Sequence, residues 1–187
     1  MKIAVYCIYP NEIQHAQRHL AEDLLRHSLD LDHMYYNTPQ RVYYNSWGLD
    51  NNSLLAALKT FDRHRSKAHS DLKLVICLMC HGDPGAIVWN NGKQFTAVEI
   101  LEALQQNEPG SINLVCFFSC LTFQNFQIPR HLPFSVLGYI TKTFVDQSPY
   151  FLSRLLNEYC RSTDLNKAVQ NALKYSDLQR KQIKFRV

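Results

Sequence analysis

The sequence predicts an α/β fold of three layers, a largely parallel central sheet covered by helices on both faces. Three observations lead there. Short apolar runs alternate along the chain with segments of helical spacing. The central runs, 73–79 and 113–119, are apolar at nearly every position, as parallel strands buried on both faces are. The chain has 187 residues and is 46% hydrophobic, which suits one domain over 1–187 with a substantial core.

The elements follow in order. Residues 3–9 form an apolar run stopped by Pro10, a first strand. From 11 to 29, apolar residues recur at Ile13, Ala16, Leu20 and Leu24, which is helical spacing. The segment DHMYYNTPQRVYYN (32–45) is Tyr- and Val-rich with a Pro break and reads as one or two edge strands. Asn52 or Ser53 caps a helix that carries Leu54, Leu58 and Phe61 on one face. Residues 73–79 are the next strand. GAIVWNNGKQFT then reads as a small hairpin turning at Asn90-Asn91-Gly92. Thr96 and Glu99 are spaced as a capping box that opens a helix through about Gln105, and Pro109-Gly110 ends that unit. Strands follow at 113–119 and 134–140, then helices at 149–160 and 164–176, the second with Leu165, Ala168, Val169 and Ala172 on one face. Right-handed crossovers distribute such helices over both faces of the sheet.

Composition narrows the function. The net charge is +4 and no charge block is long. The C-terminal RKQIKFRV is basic, but without an aromatic-basic platform it reads as a solvated tail and not as a nucleic-acid surface. No run reaches the ~20 apolar residues of a membrane-spanning helix. MKIAVYCIYP lacks a long apolar stretch and a small-residue cleavage site, so it reads as a strand and not a signal peptide, and a cytoplasmic location is expected. There the six cysteines would be thiols, with Cys7, Cys77, Cys80 and Cys116 acting as small core hydrophobes.

The chemistry gathers at two strand ends. KLVICLMCHGD closes on His81-Gly82 and INLVCFFSCLT closes on Cys120. Sites in open parallel sheets form at the carboxyl ends of strands. Adjacent strands lie ~4.8 Å apart, so side chains leaving the same edge can meet. A thiol beside an imidazole is the minimal cysteine nucleophile, the imidazole taking the proton or stabilising the thiolate. Gly82, lacking Cβ, lets its N–H approach a substrate carbonyl, and the N–H groups of Gly82 and Cys120 could form an oxyanion hole.

MCHGD after one strand and FFSCLT after the next resemble the His-Gly and Cys motifs of clan-CD cysteine peptidases: caspases, metacaspases, gingipains, separases and CHAT domains. The separation of 39 residues between His81 and Cys120, filled by a hairpin and one helix, is similar to that layout. SCLT is closest to the Ser-Ala-Cys-x-Thr of CHAT domains, with Ser119 before the Cys, and the C-terminal FVDQSPYFLSRLLNEYCRSTDLNKAVQNAL also resembles the CHAT ending.

The resemblance covers the whole chain. It implies a caspase-like sandwich and a cysteine endopeptidase acting on protein substrates through His81 and Cys120. No metal or organic cofactor is implied, although some relatives need calcium to become active. Two residues before the nucleophile, caspases carry Gln and metacaspase-like enzymes Asp. Here Phe118 stands there, so the primary pocket is expected to take an apolar or small side chain, with Asp83 and Asp146 at the site's edge. Without a long regulatory domain, control is expected from a separate protein partner.

The same residues admit other readings. The main rival is a catalytically silent interaction module that keeps the fold. Cys77-Leu-Met-Cys80-His81 matches the C-x-x-C-H haem pattern, but on a strand Cys77 and Cys80 point to opposite faces. A zinc site from Cys80, His81, Cys116 and Cys120 fails on distance, since Cys116 and Cys120 would lie ~13 Å apart along a strand. The remaining histidines, His15, His19, His27, His33, His64, His69 and His131, fall on polar helix faces or in loops. No third acid is evident to orient His81, so a backbone carbonyl is the expected substitute.

Overall fold

A computed structural model of the chain describes residues 3–10, 42–49, 73–89, 92–107, 112–142, 147–162, 164–174 and 182–187. The helices expected over 11–29 and from Asn52 onward lie outside the described residues, as do residues 32–41 of the 32–45 segment.

The central sheet has six strands: β1 (Ile3–Pro10), β2 (Val42–Leu49), β3 (Lys73–Met79), β7 (Ile112–Phe118), β8 (Ser135–Tyr139) and β9 (Ile183–Arg186). Their spatial order is β2-β1-β3-β7-β8-β9. All neighbours pair in parallel except β8 with β9. The Tyr-rich segment thus contributes β2, on an edge as expected. A second sheet of three short antiparallel strands, β4 (His81–Asp83), β5 (Ala86–Val88) and β6 (Gln94–Thr96), fills the crossover from β3.

Alternation along the strands, interrupted once in β7 where its register against β3 shifts at Asn113, divides the core into two halves. Leu74, Ile76, Leu78, Val115, Phe117 and Val136 face one way, towards helix α1 (Ala97–Asn107) and the small sheet. Val75, Cys77, Leu114, Cys116, Leu137 and Tyr139 face the other way, towards α2 (Gln147–Ser162) and α3 (Leu165–Lys174). The central strands are apolar on successive residues because both faces are covered. The layers are therefore helix and small sheet, central sheet, helix pair: the mostly parallel three-layer arrangement expected.

Local signals account for the element ends. Glu99 accepts hydrogen bonds from the Thr96 N–H (2.8 Å) and hydroxyl (2.9 Å), and its own N–H donates to Thr96 Oγ1 (3.2 Å), completing the capping box. Asp164 caps α3 by accepting from the Lys167 N–H at 3.2 Å. Helix α3 buries Leu165, Ala168, Val169 and Ala172, the stripe the spacing gives. Among the described residues no helix is long and apolar enough to cross a membrane.

The C-terminal segment departs from expectation. Ile183–Arg186 is not a solvated tail but an edge strand antiparallel to β8. Ile183 is buried and Phe185 packs on the same core half, while Lys184 and Arg186 reach back to backbone carbonyls. Two-residue alternation, and not net charge, governs this segment.

Candidate active site

Strands β3 and β7 end side by side. Their register pairs Cys77 with Cys116, Leu78 with Phe117 and Met79 with Phe118. Two more steps along each strand bring the chain to His81 and Cys120 at the carboxyl edge of the sheet. There the chain after β3 turns out into β4, where His81 pairs with Val88 and is exposed. The segment after β7 forms a turn in which Cys120 is half-buried.

The two segments meet at Gly82. A Cβ on Gly82 would collide with the Cys120 carbonyl oxygen and lie 2.7 Å from Thr122 Oγ1. No larger residue fits there, so the backbone carrying His81 and the backbone carrying Cys120 are in direct contact. The turn that aims β4 is Pro84-Gly85, with Gly85 at φ 80°, a value suited to glycine at the third position of a type II turn.

The Cys120 turn is pinned from below. Leu121 adopts φ 62°, a left-handed conformation costing about 1–2 kcal/mol for a non-glycine residue. It is held by a bond from the Leu121 N–H to Thr141 O (3.2 Å), and the Phe123 N–H donates to Tyr139 O (2.8 Å). The fully buried Phe123 ring lies against Gly138 and is tilted on Phe117, 5.1 Å between centroids. Such backbone strain persists only where surroundings over-determine it, commonly at functional sites.

Thr122 sits at the centre. It is fully buried, and its Oγ1 lies 2.6 Å from Ser119 Oγ and donates towards Ala86 O at 3.2 Å. Ser119 in turn bonds the Cys80 side chain. Burial pushes the Cys80 thiol well above the ordinary thiol range, with the Ser119 bond a smaller opposing effect. Cys80 packs on the α1 side, whereas Cys77 and Cys116 are buried on the α2–α3 side. The two cysteines of the C-x-x-C-H pattern therefore face apart, as do Cys80 and Cys116 of the zinc reading.

The residues expected around a substrate pocket are placed as follows. Phe118 is 7% exposed, its ring 5.7 Å from that of Tyr139 in the α2–α3 half of the core. Asp83 accepts a hydrogen bond from Gln94 Nε2 at 2.7 Å across the small sheet. Asp146 lies outside the described residues. His131 is exposed, and the other histidines set aside above fall outside the described residues.

Not anticipated from the sequence were β4, the buried bridging place of Thr122 and the Phe123 anchor. Asp83-Pro84-Gly85-Ala86 carried a turn signal for β4. The burial of Thr122 had no signal in the sequence.

No protein-family model matches the sequence, and no curated protein matches it. Solved structures do. A secreted C11 cysteine protease from Bacteroides thetaiotaomicron, in complex with an irreversible peptide inhibitor, aligns at TM-score 0.59 and 9% identity over 99% of this chain. This chain spans 66% of that protease's length. The Drosophila initiator caspase Dronc aligns at TM-score 0.59 and 12% identity, over 98% of this chain and 78% of its own. Caspase-1 from Spodoptera frugiperda aligns at TM-score 0.58 and 12% identity, over 99% and 87%. These neighbours are cysteine proteases of one architecture, and the chain described here has their caspase-like fold.

Proposed function

We propose that the protein is a cysteine endopeptidase acting through a His81–Cys120 dyad, with 1–187 as one peptidase domain. The observation that carries this reading is the seating of Gly82 on the Cys120 carbonyl at the carboxyl edge of the sheet. The caspase-like fold supports it.

In this reading Cys120 Sγ, as thiolate, attacks the carbonyl carbon of a substrate peptide bond. Negative charge moves to the carbonyl oxygen, which the N–H groups of Gly82 and Cys120 receive. His81 protonates the leaving amine as the C–N bond breaks, leaving an acyl-enzyme thioester. Water, giving a proton to His81, hydrolyses that thioester and restores the thiol. The exposure of His81 gives a polypeptide access to the imidazole.

The substrate is a protein held in extended form. The primary pocket takes an apolar or small side chain, since Phe118 stands where a charge-selecting residue would be. Asp83 and Asp146 are proposed at its edge. We place the chain nearest CHAT domains on SCLT and the C-terminal helix pair, with a cytoplasmic location and control by a protein partner.

Cleavage profiling on a peptide library, with Cys120→Ala as control, tests this function. Cleavage after apolar or small residues that disappears in Cys120→Ala is expected. Cleavage that persists in Cys120→Ala overturns the dyad, and cleavage after charged residues overturns the pocket. No cleavage by the intact protein, with its cellular effect surviving Cys120→Ala, favours a silent interaction module.

A further inference from the structure

The Thr122 hydroxyl is more than a core filler. It is fully buried and stands where three segments converge: the β4 strand that carries His81 and Gly82, the start of β5, and the Cys120 turn. Oγ1 lies 2.6 Å from Ser119 Oγ, 3.2 Å from Ala86 O, 3.3 Å from Ser119 O and 3.5 Å from Cys120 O. A Cβ on Gly82 would come within 2.7 Å of it.

Each hydroxyl has a single proton to donate. Thr122 donates to the Ala86 carbonyl, the shortest of its carbonyl contacts. Ser119 Oγ and Thr122 Oγ1 share a bond that either hydroxyl can donate, and Ser119 also bonds the Cys80 side chain. The chain links Cys80, Ser119, Thr122 and Ala86, and its Ser119–Thr122–Ala86 part is buried, where such bonds hold distances most stiffly. It spans from the end of β3 through the Cys120 turn to β5.

The turn itself has other anchors. Phe123 is fully buried, and the Leu121 and Phe123 N–H groups bond to β8 and the residues just after it. These hold the turn on the sheet. The Thr122 hydroxyl instead ties the turn sideways, to the small sheet that carries His81 and Gly82.

We infer that Thr122 is a positioning residue, whose hydroxyl fixes the spacing between the Cys120 turn and the His81–Gly82 strand. The inference rests on the endopeptidase reading. It predicts that losing the hydroxyl impairs the chemical step and leaves substrate binding nearly intact.

Thr122→Val keeps the shape and removes the hydroxyl, and Thr122→Ser keeps the hydroxyl. On the best peptide from library profiling, Thr122→Val should lower kcat on the order of 10-fold or more with KM within about twofold, since small misplacements act on the transition state. Thr122→Ser should stay within about threefold of the parent kcat. Because Thr122→Val strands the Ser119 hydroxyl, the double variant Ser119→Ala/Thr122→Val, which removes both partners, is measured beside it. A parent-like kcat in a folded valine variant overturns the inference, as does a Thr122→Ser loss as large as that of Thr122→Val. Failure of both valine variants to fold also overturns it, making the hydroxyl a requirement of the fold. If the parent protein cleaves no peptide, the endopeptidase reading has failed, and the inference is read on iodoacetamide modification of Cys120 at neutral pH. Slowing in Thr122→Val but not in Thr122→Ser supports it, and equal rates in all three overturn it.

Discussion

Gly82 and Cys120 touch through their backbones, and any side chain at 82 would displace the Cys120 carbonyl. Gly82→Ala therefore forces two segments apart at the proposed site. Backbone cannot yield as a flexible side chain does, so a stability loss of about 1–3 kcal/mol is expected, as for overpacking in a core. Cleavage should fall by more than that loss of folded protein explains. Denaturant titration beside initial rates checks both.

The two half-buried cysteines at the strand ends should differ in reactivity. Burial holds the Cys80 thiol protonated, and thiolate is the reactive species. With the folded protein at neutral pH, an alkylating reagent should modify Cys120 first, and Cys80 only on unfolding. Mass spectrometry of digested adducts decides it, and early modification of Cys80 would contradict the buried chain with Ser119.

The same thiol gives a pH dependence. Its folded-state titration lies above the unfolded one, so its contribution to stability is complete below the unfolded thiol range, about pH 8.5. It declines as pH rises above that. Cys80→Ala should flatten the alkaline limb of the stability curve, measured by thermal melts from pH 7 to 10. An unchanged limb contradicts this.

The α1 cap titrates in the opposite sense. The Thr96 N–H, and then its hydroxyl, hold the Glu99 carboxyl below the usual carboxylate range. Its contribution is present above about pH 4.3 and is lost as pH falls through the lowered folded value. Thr96→Ala should cost about 1 kcal/mol at neutral pH, as loss of an N-cap does. That cost should shrink in acid as Glu99 protonates, which equilibrium unfolding at neutral pH and near pH 3 would show. Glu99 is exposed, so screening keeps the change small.

Strand β9 braces the loop beyond the Cys120 turn. Lys184 donates to Phe126 O, and Arg186 to the carbonyls of Pro129 and Arg130. Arg186→Ala should speed proteolytic nicking between 127 and 133 several-fold while changing global stability by roughly 1 kcal/mol, the scale of a partly exposed charged hydrogen bond. Limited proteolysis with fragment mass analysis reads it. Unchanged nicking would show that the loop is held elsewhere.

The sequence revealed what burial on two faces writes into it. β3 and β7 stood out because both sides of each strand are covered, and the Thr96–Glu99 box because capping is local. The contact of the Gly82 backbone with the Cys120 turn accords with strand order and one crossover. β4 stayed hidden because His81-Gly82-Asp83 has no β-branched or aromatic residue, and only the Pro84-Gly85 turn marks it. β9 was misread because its charges dominate four residues whose apolar members, Ile183 and Phe185, alternate with them. Thr122 stood out only as the last residue of the SCLT motif, which gives no sign that three segments close over it.

The central claim is that His81 acts on Cys120. The most direct measurement is the second-order rate at which a peptide acyloxymethyl ketone modifies the protein at pH 7, for the parent and for His81→Ala. The account expects one adduct, on Cys120, formed on the order of 100-fold more slowly without the imidazole, in line with general acid–base contributions. An adduct on another cysteine, or the same rate in His81→Ala, would contradict it.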